Sequence, residues 1–441
     1  MTSIRSAILS FVILASSVFA KDPEVPRNEA YEVLIPASAR EGERPPNPEG
    51  LSGRVVTGYQ GWFRAEGDGS GLGFHHYQKR GKFEPGHCTI DLWPDLSEFE
   101  EDEKFPTSFR HADGSVAHVF SSIHPKTVDR HFRWMKEYGI DGAFVQRFAT
   151  HGAKSRRDSR GLKWENEKLK LVRDAAMKHD RCWVLMYDLS GLHDDDFDRL
   201  AEDWKNLRLG MQLGTDPNDS AYLHLKGKPL VAIWGVGFND DREYSLEKTE
   251  WFIRLLKHNP EWGGMSIMLG VPYGWREQDR DATDDPQLHE VLKLADVLSP
   301  WSVTRYQDME KESAKVVAHQ IADREWCERE KIEYLPVLFP GFSWRNLKGD
   351  EESFISRRKG EFYWQQFVAT AAAGNRSAYL AMFDEIDEAT AIFKCTNDPP
   401  VGESVFQTYE GLPSDHYLWL SGEGGRLLRG ELPRREEVVE P

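Results

Sequence analysis

Eight short apolar runs separated by stretches of helical periodicity constrain this chain more than any other feature. The runs lie at 55–63, 139–148, 182–189, 229–238, 266–273, 296–303, 334–340 and 378–383. Between them, 125–138, 165–179, 195–209, 245–258, 286–294, 310–330 and 357–373 repeat apolar positions every three to four residues, as helices do. Strands that are apolar throughout must be covered on both faces, which calls for a parallel sheet wrapped in helices. Eight such units predict an α/β fold, a (β/α)8 TIM barrel rather than an open doubly wound sheet. No glycine-rich phosphate loop follows any of the runs, which argues against nucleotide binding.

Two segments break the alternation. Residues 64–124 form a long insertion after strand 1, and such insertions sit on the catalytic face of a barrel. Residues 397–441 carry Tyr417-Leu418-Trp419-Leu420 and a glycine-rich stretch before Leu427-Leu428. They read as a small C-terminal β extension, a hairpin ending in a charged tail. The expected organisation is therefore a signal peptide at 1–20, an extended lead-in at 21–50, the barrel domain at 51–396, and the hairpin and tail at 397–441.

The first residues have the pattern of an export signal. Arg5 is followed by an apolar centre at 7–14 and by Val18-Phe19-Ala20, an A-x-A-like cleavage site. A secreted or periplasmic location is expected. No cysteine near the cleavage site offers a lipid anchor, and no later stretch approaches the ~20 apolar residues of a membrane span. A net charge of −17 argues against nucleic acid and mildly against heavily sulfated glycans. Cys88, Cys182, Cys327 and Cys395 allow three disulfide pairings, and their spacing selects none. A monomer is expected.

The ends of the strand runs hold the candidate chemistry, because barrel active sites are built there. They carry Tyr59 and Trp62, Gln146 and Arg147, Tyr187 and Asp188, Trp234, Tyr273, Trp301 and Trp344. Aromatic faces stack on sugar C–H faces while amides and carboxylates bind hydroxyls, so this mixture suits an oligosaccharide or polysaccharide substrate. The last run ends in Asp384, Glu385, Asp387 and Glu388. Read locally, these residues could cap a helix start. At the end of a buried strand they suit glycosidic cleavage, which needs one acid and one base or nucleophile flanking a bond.

Longer stretches resemble glycoside hydrolase family 99, the endo-α-mannosidases and endo-α-mannanases. They are Leu335-Pro336-Val337-Leu338-Phe339-Pro340-Gly341-Phe342, residues 357–364, and Phe383-Asp384-Glu385-Ile386-Asp387-Glu388-Ala389-Thr390. The last is similar to the family's strand-eight pattern F-N-E-W-H-E-G-T. Tyr59 and the pair His75-His76 also look like the family's early substrate-binding elements. The resemblance implies that Glu385 and Glu388 are catalytic and that Tyr59, His75 and His76 bind substrate, while Trp62, Arg147, Tyr187, Asp188, Trp234, Tyr273, Trp301, Trp344 and Asp384 are expected around the sugar from their places at the strand ends. It further implies a retaining route through a 1,2-anhydro sugar, with Glu385 as base and Glu388 as acid. Ile386-Asp387 replaces W-H and Ala389 replaces Gly, so the extra carboxylate should raise nearby pKa values and the substrate can differ. A related α-glycosidase, such as an α-1,3-glucanase of family 71, or a non-catalytic carbohydrate-binding protein are the alternatives. No cofactor or metal is expected: residues 279–290 imitate a calcium loop but have Asp where the sharp turn needs Gly.

Overall fold

A computed structural model describes residues 24–39, 45–154, 158–435 and 437–439. The signal-like segment at 1–20 lies outside the described residues. The barrel strands are β1 (Val55–Tyr59), β2 (Gly142–Phe148), β3 (Cys182–Asp188) and β4 (Lys228–Trp234). They continue as β5 (Ser266–Pro272), β6 (Val297–Trp301), β7 (Val337–Leu338) and β8 (Ala378–Leu380). Each is parallel to its neighbours, in register from β8 through β1 to β6.

Closure of the sheet falls on its seventh strand. Glu333–Tyr334 pairs with β6, whereas β7 pairs with β8. Leu335 N–H still donates to Leu298 O, and Pro336 O already accepts from Tyr379 N–H. The chain thus passes from one neighbour to the other across Pro336, whose missing N–H would break a continuous ladder.

The helices that cover the barrel are α1 (Pro125–Glu137), α2 (Arg160–His179), α3 (Phe197–Gly210), α4 (Leu246–His258) and α5 (Leu288–Leu292). They are completed by α6 (Met309–Glu330), α7 (Glu361–Ala372) and α8 (His416–Arg429). The last of these corrects the expected C-terminal hairpin: 416–429 is the eighth barrel helix. Its glycines are contact points rather than turns. A Cβ on Gly424 would lie 2.5 Å from the Phe367 ring, and one on Gly422 would lie 2.2 Å from Tyr138 O. Gly425 likewise faces Val55 at 3.1 Å. Without side chains there, α8 packs directly against α7, the end of α1 and the start of β1.

The insertion at 64–124 carries a short antiparallel hairpin, Phe105–Arg110 with Val116–Val119. Phe83, Trp93 and Phe109 build its own small aromatic core. It docks on the loop after β8, where Asp91 N–H and Leu92 N–H both donate to Ile386 O. The lead-in contains a short helix, Arg27–Tyr31, and is tied to the barrel exterior by Tyr31. All four cysteines are buried and free. Among the described residues, no helix is long and apolar enough to cross a membrane.

Candidate active site

A cleft of 490 Å³ opens at the C-terminal ends of the strands. Its floor and walls are Gln60 and Trp62 after β1, Gln146 and Phe148 on β2, Asp188 on β3, Trp234 on β4 and Trp301 on β6. Phe342, Trp344 and Lys348 follow β7, and Glu385 and Glu388 follow β8. Trp234 and Trp301 meet edge to face at 5.5 Å. Such aromatic corners bind flat apolar faces of a ligand, while Gln146 and Asp188 offer hydrogen bonds. Gln146 Nε2 donates to Asp188 at 2.9 Å.

The loop after β8 folds back on itself to aim both glutamates into this cleft. Thr390 N–H and Ala391 N–H return to Glu385 O, and Ile392 N–H returns to Met382 O. Ala389, where the resembling motif has Gly, adopts φ +52°. Arg357 holds that turn, donating from Nη2 to Ala389 O at 2.8 Å and to Ala391 O at 2.7 Å. Asp384 anchors the loop to β1, accepting from Gln60 N–H and Gly61 N–H at 2.8 Å each. Its carboxylate is consumed by that clamp and does not line the cleft.

Glu385 accepts from Gln60 Nε2 and from Thr390 Oγ1, each at 2.7 Å. Glu388 accepts from Trp344 Nε1 at 3.2 Å. Burial pushes the Glu388 carboxyl up to about 7, with Asp387 adding to the push and the Trp344 indole and Lys348 opposing it. Burial, Glu388 and Asp387 hold the Glu385 carboxyl well above the usual range, against the Thr390 and Gln60 hydrogen bonds. Burial also raises Asp387, to about 8. The three carboxyls therefore share protons. Protonating Glu388 and Asp387 removes the neighbouring charges that oppose ionisation of Glu385; burial still opposes it, and the Gln60 and Thr390 donors favour its carboxylate.

Of the residues expected around the sugar, Trp62, Asp188, Trp234, Trp301 and Trp344 line the cleft beside the glutamates. Tyr59, Arg147 and Tyr187 do not. Tyr59 OH meets His131 Nδ1 on α1 at 3.0 Å. Arg147 forms a buried pair with Asp203 of α3 at 2.6 Å, and Tyr187 OH donates to the same carboxylate at 2.7 Å. Side chains alternate along a strand, so their inward neighbours Gln60, Gln146 and Asp188 reach the cleft instead. Tyr273 is also outside it, stacked on His319 of α6 at 4.0 Å.

His76 stands one layer behind the cleft wall. Its ring is parallel to Trp62 at 3.9 Å, and its Nδ1 lies 3.0 Å from Asp387 Oδ2. Burial depresses its pKa to about 3, so it is neutral. His75 pairs with Arg64 through the backbone and also does not line the cleft. The cleft residues missed by the sequence reading include Gln60, Arg305 and Lys348. Among the described residues, no group of three or more His, Cys, Asp or Glu side chains could hold a metal ion.

No family model matches the chain, and no curated protein matches it. Solved structures do. The endo-α-mannosidase of glycoside hydrolase family 99 from Bacteroides thetaiotaomicron superposes with a TM-score of 0.61 at 14% identity, over 86% of this chain and 99% of that one. The same enzyme in complex with bis-tris-propane gives 0.60 at 14% identity, over 87% and 99%. A glycoside hydrolase-like protein gives 0.53 at 12% identity, over 90% and 98%. The chain shares the (β/α)8 fold of these proteins across most of its length.

Proposed function

We propose that this protein is an exported glycoside hydrolase acting on α-linked glycans, with α-mannan-like chains the first class to examine. The observation that carries the reading is that Glu385 and Glu388, three residues apart on one loop, enter the same cleft among Trp62, Trp234, Trp301 and Trp344. A binding protein has no need of two buried carboxyls in one sugar-sized cleft, because each must be desolvated without a cation in ion-pair contact. The fold shared with a family 99 endo-α-mannosidase favours the same chemistry here.

In this reading Glu388 is the acid. A carboxyl raised to about 7 is still about half protonated in neutral solution and can donate to the departing glycosidic oxygen. Glu385 is the base. Gln60 and Thr390 donate to it against the burial that raises its pKa, and the proton held by Glu388 lifts the repulsion that adds to that rise. It removes the proton of the sugar 2-hydroxyl, which attacks C1 as the C1–O bond breaks, forming a 1,2-anhydro sugar. Water then opens the epoxide at C1, activated by the now ionised Glu388, while Glu385 returns its proton to O2. Both carboxyls end as they began, and the anomeric configuration is retained.

The test is hydrolysis across α-mannans, α-1,3-glucans and other α-linked glycans, with products sized by mass and their anomers followed by NMR. Release of the α-anomer first supports the retaining route. Inverted product would overturn it, and glycan binding without turnover on any substrate would favour a carbohydrate-binding protein.

A further inference from the structure

The cleft carries a charge asymmetry that a neutral sugar chain would not require. Its carboxyls stand on β3 and after β8, at Asp188, Glu385 and Glu388. Its two cations, Arg305 and Lys348, follow β6 and β7, which are neighbouring positions on the ring of strands. Arg305 is held in place by Asp281, which accepts its Nε at 2.6 Å, and by Thr304 Oγ1, which accepts its Nη1 at 2.9 Å. Its second terminal nitrogen is left for a ligand. Asp281 itself accepts from Tyr273 N–H and Gly274 N–H, so the guanidinium is held by a carboxylate anchored to the backbone after β5.

Lys348 is exposed at the mouth of the cleft. Its Nζ stands 5.7 Å from the centre of the Trp344 ring, whose indole N–H holds Glu388. Among the described residues it has no carboxylate within ion-pairing distance. A lysine over an aromatic wall together with an arginine in the same cleft forms a recognition pattern for a carboxylate or an acidic ester oxygen. Two such cations in the cleft of a chain with net charge −17 run against the general balance of the molecule.

We propose that the substrate is an acidic glycan carrying one anionic group, a uronic carboxylate or a sulfate ester, on the sugar that sits between Arg305 and Lys348. This deepens the hydrolase reading above and rests on it for the site. Because Lys348 flanks Glu388, the anionic sugar is the one on the leaving-group side of the scissile bond. The overall negative charge excludes a densely sulfated chain but tolerates one charge placed against a local pair of cations.

The experiment compares matched neutral, uronic-acid-containing and singly sulfated α-linked oligosaccharides, with wild type, Lys348→Gln, Lys348→Arg and Arg305→Gln. Turnover is followed at low and high salt, and binding is measured by calorimetry on Glu385→Gln, alone and combined with Lys348→Gln. Wild type should prefer one acidic series, with a KM that rises with salt. Lys348→Gln should raise that KM roughly tenfold, as loss of a charge-assisted contact does, and Lys348→Arg should restore most of it. The two acidic series separate carboxylate from sulfate.

Equal or better turnover of the neutral series, with no salt dependence, would overturn the proposal while leaving the hydrolase reading intact. Salt-sensitive binding of an acidic series, lost in the Lys348→Gln double variant but without wild-type turnover, would keep the acidic ligand and overturn hydrolysis. Absence of both binding and turnover for every series would overturn both.

Discussion

Gln60 Nε2 donates to Glu385 Oε1 at 2.7 Å, joining the end of β1 to the end of β8 inside the cleft. This contact stabilises the ionised glutamate, since a donor favours the charged form of a carboxyl. Gln60→Leu keeps the shape and removes the donor. The Glu385 pKa should then rise, and the acidic limb of the pH–rate profile should move to higher pH. Losing a hydrogen bond to a charged group costs about 1.5–3 kcal/mol, so kcat near neutrality should fall about 10- to 150-fold. An unshifted acidic limb would separate Gln60 from the base.

The glutamates themselves give a sharper contrast. Glu385→Gln and Glu388→Gln should each lower turnover of a natural glycan by about 10²–10⁴ while ground-state binding changes little. Glu388→Gln should be partly spared on an activated aryl glycoside, which needs little protonation of its leaving group. Glu385→Gln should not be spared, because the 2-hydroxyl must still lose its proton. Wild-type turnover by both variants would remove the catalytic assignment.

The number and order of barrel strands were legible because buried parallel strands are apolar over their whole length. The same property hid which residues face inward. Where both faces are buried, apolar alternation vanishes, so Arg147 could not be told from Gln146 or Tyr187 from Asp188. The structure separates them by one position: Arg147 turns out to Asp203, and Gln146 turns in to Asp188. Glycines misled in the opposite sense. Gly422, Gly424 and Gly425 looked like a turn, yet each makes room for a neighbour of α8. Lys348 reaches Trp344 through the single helical turn Arg345–Lys348, too short for the apolar pattern to mark it.

Asp387 should make stability depend on pH. Its folded pKa is raised from 3.8 to about 8 by burial, so it holds a proton more tightly when folded than when unfolded. The stability this adds is full below pH 3.8 and is lost as pH rises through about 8. Asp387→Asn removes the titrating group and leaves an amide to meet the neutral His76. Its melting temperature at pH 8 should exceed that of wild type, by about 1 °C for each kcal/mol relieved in a chain of this length, and the gain should shrink toward pH 4. An equal difference at both values would mean that packing, not charge, sets it.

Activity should survive exhaustive chelation, since a carboxyl pair can cleave an acetal unaided. A complete loss after EDTA that calcium restores would point to the acidic loop at 279–290, where Asp281 already serves Arg305.

Arg357 is the residue whose loss should disturb the catalytic loop without touching the sugar. Its guanidinium lies 4.9 Å from the Tyr409 ring centre and 4.4 Å from that of Tyr417, and it donates to the carbonyls of Ala389 and Ala391. Those carbonyls flank the turn that follows Glu388. Arg357→Met fills the space between the tyrosines but leaves Ala389 O without its donor, at a cost of about 1–3 kcal/mol for a buried group left unsatisfied, while Ala391 O keeps only the Tyr409 hydroxyl at 3.2 Å. Melting temperature should fall, and kcat should fall more than KM rises, because the glutamates lose their geometry while the aromatic cleft remains. Arg357→Lys, able to reach one carbonyl, should lie between Arg357→Met and wild type in both measurements. If Arg357→Met lowers the melting temperature but leaves kcat unchanged, Arg357 supports the fold without positioning the glutamates.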